Sequence, residues 1–128
     1  MEYSTESKDR LVTQMRKGIL ELAVMGVLYY QRHYGYSLAR ALSDSGAGEM
    51  KEGTIYPILA RLNRDGLVDS EWVESEQGPP RKYYGLTLAG RQLFDQLSRD
   101  LDILVSLVKR PDMREEPEQG RKLLIRKA

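Results

Sequence analysis

The stretch "EGTIYPILARLNRDG" (residues 52–66) holds a helical apolar repeat and a proline together. Ile55, Ile58, Leu59 and Leu62 gather on one face of an α-helix. Pro57 sits among them, and proline inside a helix removes a hydrogen bond and clashes with the preceding turn. It is tolerated in the first turn, where amide groups have no intrahelical partner. The sequence therefore predicts a helix starting near Gly53 or Thr54, with Thr54 as its cap and Gly66 closing it in a left-handed turn. The outward face carries Thr54, Pro57, Ala60, Arg61 and Arg64, with Tyr56 near its edge. Small residues at the start of that face suit a helix pressed against another surface.

Upstream, Leu11, Met15, Ile19, Leu22, Ala23 and Val27 line one face of a long helix. Leu20, Val24 and Leu28 add a second face, so this helix is expected to be buried between two partners. Residues 1–10 are charged and polar and read as an arm. "RHYGYS" (32–37) is a break punctuated by Gly35, and a short helix follows with Tyr36, Leu38, Ala39 and Leu42 inward. "SDSGAGE" (43–49) reads as a loop.

Downstream, "LVDSEWVES" (67–75) and "RKYYGLT" (81–87) are rich in strand formers, and "EQGPP" (76–80) between them signals a turn. An isolated hairpin is marginal, so this one must pack on the helices. Tyr83 and Tyr84 alternate faces, which leaves open which of them points inward. The last helix is expected to start at Thr87 as cap, with Gly90 weakening its first turn slightly. Leu93, Leu97, Leu101, Leu104 and Val108 form its stripe, broadened by Phe94, Val105 and Leu107. At roughly 20 residues it is about 30 Å long. Pro111 ends it, and residues 111–128 read as a mobile charged tail. From Lys109 onward the chain carries seven basic and four acidic residues; a solvated tail and weak, salt-dependent attraction to DNA are the alternatives.

With 128 residues, the chain is the size of one domain. It has no cysteine and one histidine, His33, read as a surface residue near a turn; disulfides and thiolate metal sites are excluded, and no cofactor is implied. No Ser-His-acid set, phosphate-cradling glycine loop or metal cluster supports an enzyme. No apolar run is long enough to span a bilayer and no signal peptide is evident, so a soluble cytoplasmic protein with no membrane partner is expected. The 20 basic and 19 acidic residues give a net charge of +1, so any attraction to nucleic acid must be local.

Helix, helix, helix, hairpin, long helix is the order of a winged helix-turn-helix: mostly α, with a small β-hairpin wing and a long C-terminal dimerisation helix. The organisation expected is an arm (1–10), a DNA-binding domain (11–86), the dimerisation helix (87–110) and the tail (111–128). In such domains the third helix enters the major groove.

Gly53, Thr54, Tyr56 and Pro57, followed by Arg81, Lys82, Tyr83, Tyr84, Leu86, Thr87 and Gly90, resemble the hallmark motifs of the PadR family of bacterial winged-helix transcriptional regulators. "GYSLARAL" (35–42) fits the family's second helix, and the resemblance spans about Gly18 to Val108. The single C-terminal helix resembles the short subfamily. The resemblance implies a homodimeric repressor that binds an inverted-repeat operator on double-stranded DNA and is released by a small molecule. Some multidrug-binding members carry a tryptophan in the last helix; Leu101 aligns there, and Trp72 lies on the wing instead.

The residues expected to meet DNA are Lys51, Thr54, Tyr56, Pro57, Arg61, Arg64, Arg81 and Lys82. The two arginines of the third helix are read as phosphate contacts, the majority class at such interfaces, rather than base readers. Arg81 and Lys82 beside a Gly-Pro-Pro turn suit a wing resting on the minor-groove backbone; a solvated loop is the alternative. A small winged domain has little core to cover a long stripe, so Leu93, Leu97, Leu101, Leu104 and Val108 are expected to pair with Met15, Ile19 and Leu22 in an isologous dimer. Met15, Ile19, Phe94, Leu97 and Leu101 would line any pocket for a small aromatic or apolar effector; plain dimer core is the alternative. The competing function is a winged-helix protein-interaction module that does not read DNA.

Overall fold

A computed structural model of the protein describes residues 4–110. It divides into two units, Met1–Asp95 and Gln96–Ala128. The order is α1 (Thr5–Tyr30), β1 (His33–Tyr34), α2 (Gly35–Leu42), a wide π-type turn (Ser43–Ala47), α3 (Glu52–Arg64), β2 (Val68–Val73), β3 (Arg81–Leu86) and α4 (Leu88–Val108). The fold is mostly helical with a small antiparallel sheet, in the winged helix-turn-helix arrangement with one extra helix. The expected tail, 111–128, lies outside the described residues.

Helix α1 starts earlier than its apolar stripe. Ser4 caps it by accepting from the Ser7 amide at 3.0 Å, so Thr5–Arg10, read as an arm, form its exposed first turns. Burial begins only in its second half, at Val24, Met25 and Leu28. These pack with Leu38, Ala39 and Leu42 of α2 and with Ile55, Ile58, Leu59 and Leu62 of α3. Val68, Tyr84 and Leu86 close the core from the sheet. Tyr36, expected inward, is exposed on α2.

The hairpin gains a third strand: β1 pairs with β3, giving the order β1-β3-β2. His33 therefore stands half-buried opposite Tyr84, not on the free surface, with Nδ1 2.9 Å from the Ser37 hydroxyl. Burial holds its pKa below the ordinary imidazole value. Of the two adjacent tyrosines, Tyr84 is the inward one.

The junctions are tied by short polar links. Ser43 Oγ donates to the Ala39 carbonyl and accepts from the Met50 amide, each at 2.9 Å, which fixes the approach to α3. At the other end, Gly66 takes φ 74°. The Leu67 amide donates to the Leu62 carbonyl at 2.9 Å, and the Gly66 amide to Asn63 at 3.0 Å. This is a Schellman closure, with glycine at its left-handed position. Thr87 caps α4: its Oγ1 accepts from the Gly90 amide at 3.0 Å and donates to the Gly66 carbonyl at 2.8 Å. Gly90 is buried against the Leu67 carbonyl, where a Cβ would collide. Its role is close packing of helix on turn, which outweighs the helical weakness expected of it.

The second unit, described from Gln96 to Arg110, holds the rest of α4, which ends at Val108. Leu97 and Leu101 are half-buried; Ile103, Leu104, Val105, Leu107 and Val108 are exposed.

Candidate nucleic-acid interface

Helix α3 begins at Glu52, with Lys51 in the capping position and no side chain bonding the first turn. Thr54 is therefore not the cap. The Thr54 and Ile55 amides already donate to the Lys51 carbonyl, at 3.0 and 3.3 Å. Pro57 falls in the second turn, so its missing N–H leaves the Gly53 carbonyl without its usual donor. That carbonyl belongs to an exposed residue, where water can replace the lost bond. The helix survives because its opposite face is sealed: Ile55, Ile58, Leu59 and Leu62 are all buried.

The outward face is the one expected. Thr54, Pro57, Ala60 and Arg64 are exposed, and Arg64 and Lys51 have no ion-pair partner among the described residues. Arg61 is different. Its Nε lies 3.3 Å from Glu21 of α1, so its charge is directed toward α1. Tyr56 is part-exposed but committed at both ends. Its hydroxyl donates to Glu52 Oε2 at 3.2 Å, and its ring lies over Gly35, where a Cβ would collide. Burial and then the Glu52 carboxylate hold its pKa above the ordinary phenol value. Glu52 also puts an anion in the first turn of α3, which satisfies the positive end of the helix dipole locally.

The wing carries its cations on opposite faces, because successive strand residues alternate. Arg81 lies over the Tyr34 ring at 4.5 Å, and Tyr34 in turn meets Tyr83 edge-on at 5.3 Å. Lys82 lies on the other face, its Nζ 5.8 Å from the Trp72 ring and 5.9 Å from that of Tyr84. Arg32 braces the wing: it bonds Asp69 at 2.8 Å and Glu71 at 3.3 Å on β2, and its side chain crosses Gly85. The two acidic residues of β2 thus share one guanidinium, while Lys82 has no ion-pair partner among the described residues.

Tyr34 and Arg40, which the sequence did not single out, cluster with Tyr36 at the start of α2. Tyr34 and Tyr36 stack at 6.3 Å, and Arg40 donates to the Tyr36 hydroxyl at 3.1 Å. The tyrosines around Gly35 were the available signal. The Glu21 partner of Arg61 is 40 residues away in sequence, and nothing local marks it.

The apolar residues expected to pair two copies are found in each unit separately. Met15 and Ile19 are exposed and Leu22 is half-buried on α1. Leu93, in the first turns of α4, is just exposed. Phe94 packs within the first unit, its ring 5.4 Å from that of Tyr29 and against Gly26. Leu97, Leu101, Leu104 and Val108 lie on the second unit, the first two half-buried. Among the described residues, no helix is long and apolar enough to cross a membrane, and no group of three ligating side chains could hold a metal ion.

A family model described as the transcriptional regulator PadR-like family matches residues 24–96. Among solved structures, the chain is similar to a PadR-like transcription factor from Bacteroides fragilis, at 40% identity and TM-score 0.68, covering 79% of this chain and 97% of that one. A PadR-like transcriptional regulator from Bacillus cereus matches at 30% identity and TM-score 0.72, covering 80% and 99%. Bacillus subtilis PadR, solved in complex with operator DNA, shares the fold at 23% identity and TM-score 0.56, covering 62% of this chain and 46% of that one.

Proposed function

The chain belongs to the PadR-like family of transcriptional regulators, and from that premise we propose that it is a cytoplasmic homodimer that binds an inverted-repeat DNA operator and represses transcription until a small molecule releases it. The observation that carries the reading is the outward face of α3. It holds small residues and Arg64, all left exposed by the described residues, while the other face is locked into the core. A helix so anchored can lie in a major groove without rearranging. Arg81 and Lys82 add positive charge on the wing.

Within this reading the residues take different roles. Thr54, Pro57 and Ala60 let the helix approach the groove closely, and Arg64 and Lys51 meet phosphates. Arg61 contributes after exchanging Glu21 for a phosphate, and Tyr56 acts mainly by holding Glu52 and the start of α2 in place. Phosphate contacts of this kind fix register and orientation, and base edges supply sequence preference.

The dimer rests on apolar surface left uncovered in each unit: Leu11, Val12, Met15 and Ile19 on α1, and Ile103, Leu104 and Leu107 on α4. Surfaces of this kind call for a partner, and a second copy in a closed two-fold arrangement is the commonest one. The effector would be an apolar or aromatic molecule.

Selection from a random duplex pool tests the function. An inverted repeat should emerge, with binding weakened by salt and lost in the Arg81→Glu/Lys82→Glu double variant. No enrichment over non-specific binding, with cell metabolites added, would refute operator binding and favour a protein-interaction module.

A further inference from the structure

Burial along β2 falls from 2% exposure at Val68 to 68% at Trp72. Both residues are on the same face of the sheet, since they are an even number of positions apart. Val68, Tyr84 and Leu86 of that face belong to one core with Ile55, Leu59 and Leu62 of α3. Trp72 therefore stands on the helix-bearing face, at the point where the wing has outrun the core. It is the chain's one tryptophan, and its indole is mostly in water.

Its cross-strand neighbour in the register is Lys82. The ammonium lies 5.8 Å from the indole and 5.9 Å from the Tyr84 ring, and no carboxylate pairs with it among the described residues. The opposite face differs: there Arg32 bridges Asp69 and Glu71, and Arg81 on the same face supplies the second positive charge. One face of the wing is thus charge-balanced and braced, and the other offers an apolar plate beside an unpaired cation.

We infer that Trp72 and Lys82 form one contact element for duplex DNA, the indole lying against the sugar wall of the minor groove and the ammonium on the adjoining phosphate. The inference rests on the DNA-binding reading above and adds an apolar anchor to it. An indole excludes water from sugar and base edges without needing a hydrogen bond, as apolar wedges do in minor grooves. Lys82 supplies the counterion-releasing charge. A purely structural role, as a cross-strand pair stabilising the hairpin, is the competing account.

The two roles separate by salt and by fluorescence. Binding of an end-labelled selected duplex is followed by anisotropy, and the emission of Trp72 is read in the same titration at a fixed protein concentration. Trp72→Ala should weaken binding about tenfold, the scale of one apolar nucleic-acid contact, with an unchanged dependence on salt. Lys82→Gln should lower the log–log salt slope by about one. Trp72→Phe, which keeps a ring on the hairpin, should retain the melting temperature and bind between the two. In the wild type, the emission should change on binding and become shielded from acrylamide. Duplex binding with unaltered emission and quenching would overturn this inference and leave the proposed function standing. No anisotropy change with any selected duplex would overturn both. An affinity loss in Trp72→Ala matched by an equal loss in thermal stability, with Trp72→Phe normal in both, would assign the residue to the hairpin alone if shielding is also absent.

Discussion

Helices α3 and α4 carry the same apolar period with opposite outcomes. In α3, Ile55 is 0% and Leu59 1% exposed; in the second unit's part of α4, Leu104 is 58% and Leu107 60% exposed. Periodicity specifies which residues share a face. It does not specify what covers that face. For α3 the cover is within the chain, from α1, α2 and the sheet. For the distal α4 the proposed cover is a second copy. The same signal thus encodes folding in one place and assembly in the other, and variants should separate the two.

The largest effect is expected inside α3. Leu59→Ala should cost roughly 2–5 kcal/mol of folding stability, the range for a buried leucine truncated in a packed core. In denaturant titrations this loss should be independent of protein concentration. A loss under ~1 kcal/mol would mean that the core relaxes around the gap and that the contrast with α4 is overstated.

Next comes Gly90→Ala, where α4 meets the turn after α3. The new methyl group would meet the Leu67 carbonyl, a backbone atom that cannot swing aside. Overpacking of this kind costs about 1–3 kcal/mol. On propensity alone the substitution should stabilise the helix by up to ~1 kcal/mol, so the sign of the measured change decides between the two accounts.

A smaller effect comes from pH. Burial raises the pKa of Tyr84, and burial with Glu52 raises that of Tyr56. A raised phenol pKa means that the folded state holds its protons longer than the unfolded chain. Stability from these groups is therefore complete below the ordinary phenol range and is lost as pH rises through the folded-state values. Tyr84→Phe should flatten the alkaline limb of a melting profile; an unchanged limb would contradict the shift.

Smallest in folding terms is Leu104→Asp. Exposed positions change stability by about ±0.5 kcal/mol when nothing else depends on them. Its effect should appear instead in light scattering, as a dimer-to-monomer shift, and in loss of the concentration dependence of melting. If Leu104→Asp unfolds the chain as Leu59→Ala does, the stripe of α4 is part of the fold after all.

The sequence was legible wherever a pattern was long or a residue chemically distinctive. The stripe of α3, its glycine closure, the wing and the Thr87 cap could be read from spacing and residue type. Strand β1 could not, because two residues cannot display a period of two. The first turns of α1 are polar all round, so only the Ser4 cap marks them, and that serine is one of several polar residues there. Thr54 is not the cap because Pro57 stands in the second turn; a first-turn proline puts the start, near Gly53 or Thr54, one or two residues too late. Arg61 looked like a free cation because its partner, Glu21, belongs to another helix. At the candidate interface, the residue types were legible but their commitments were not. Tyr56, Arg61 and Arg81 each spend part of their chemistry on a neighbour supplied by tertiary structure.

The measurement that tests both halves of the account together is a hydroxyl-radical footprint of the full chain on the selected duplex, wild type beside Leu104→Asp. The account predicts two protected half-sites about one helical turn apart, roughly 34 Å, in the wild type. In Leu104→Asp, protection should be weak and each half-site should fill independently. A single undivided footprint in the wild type, or an unchanged double footprint in the variant, would contradict it.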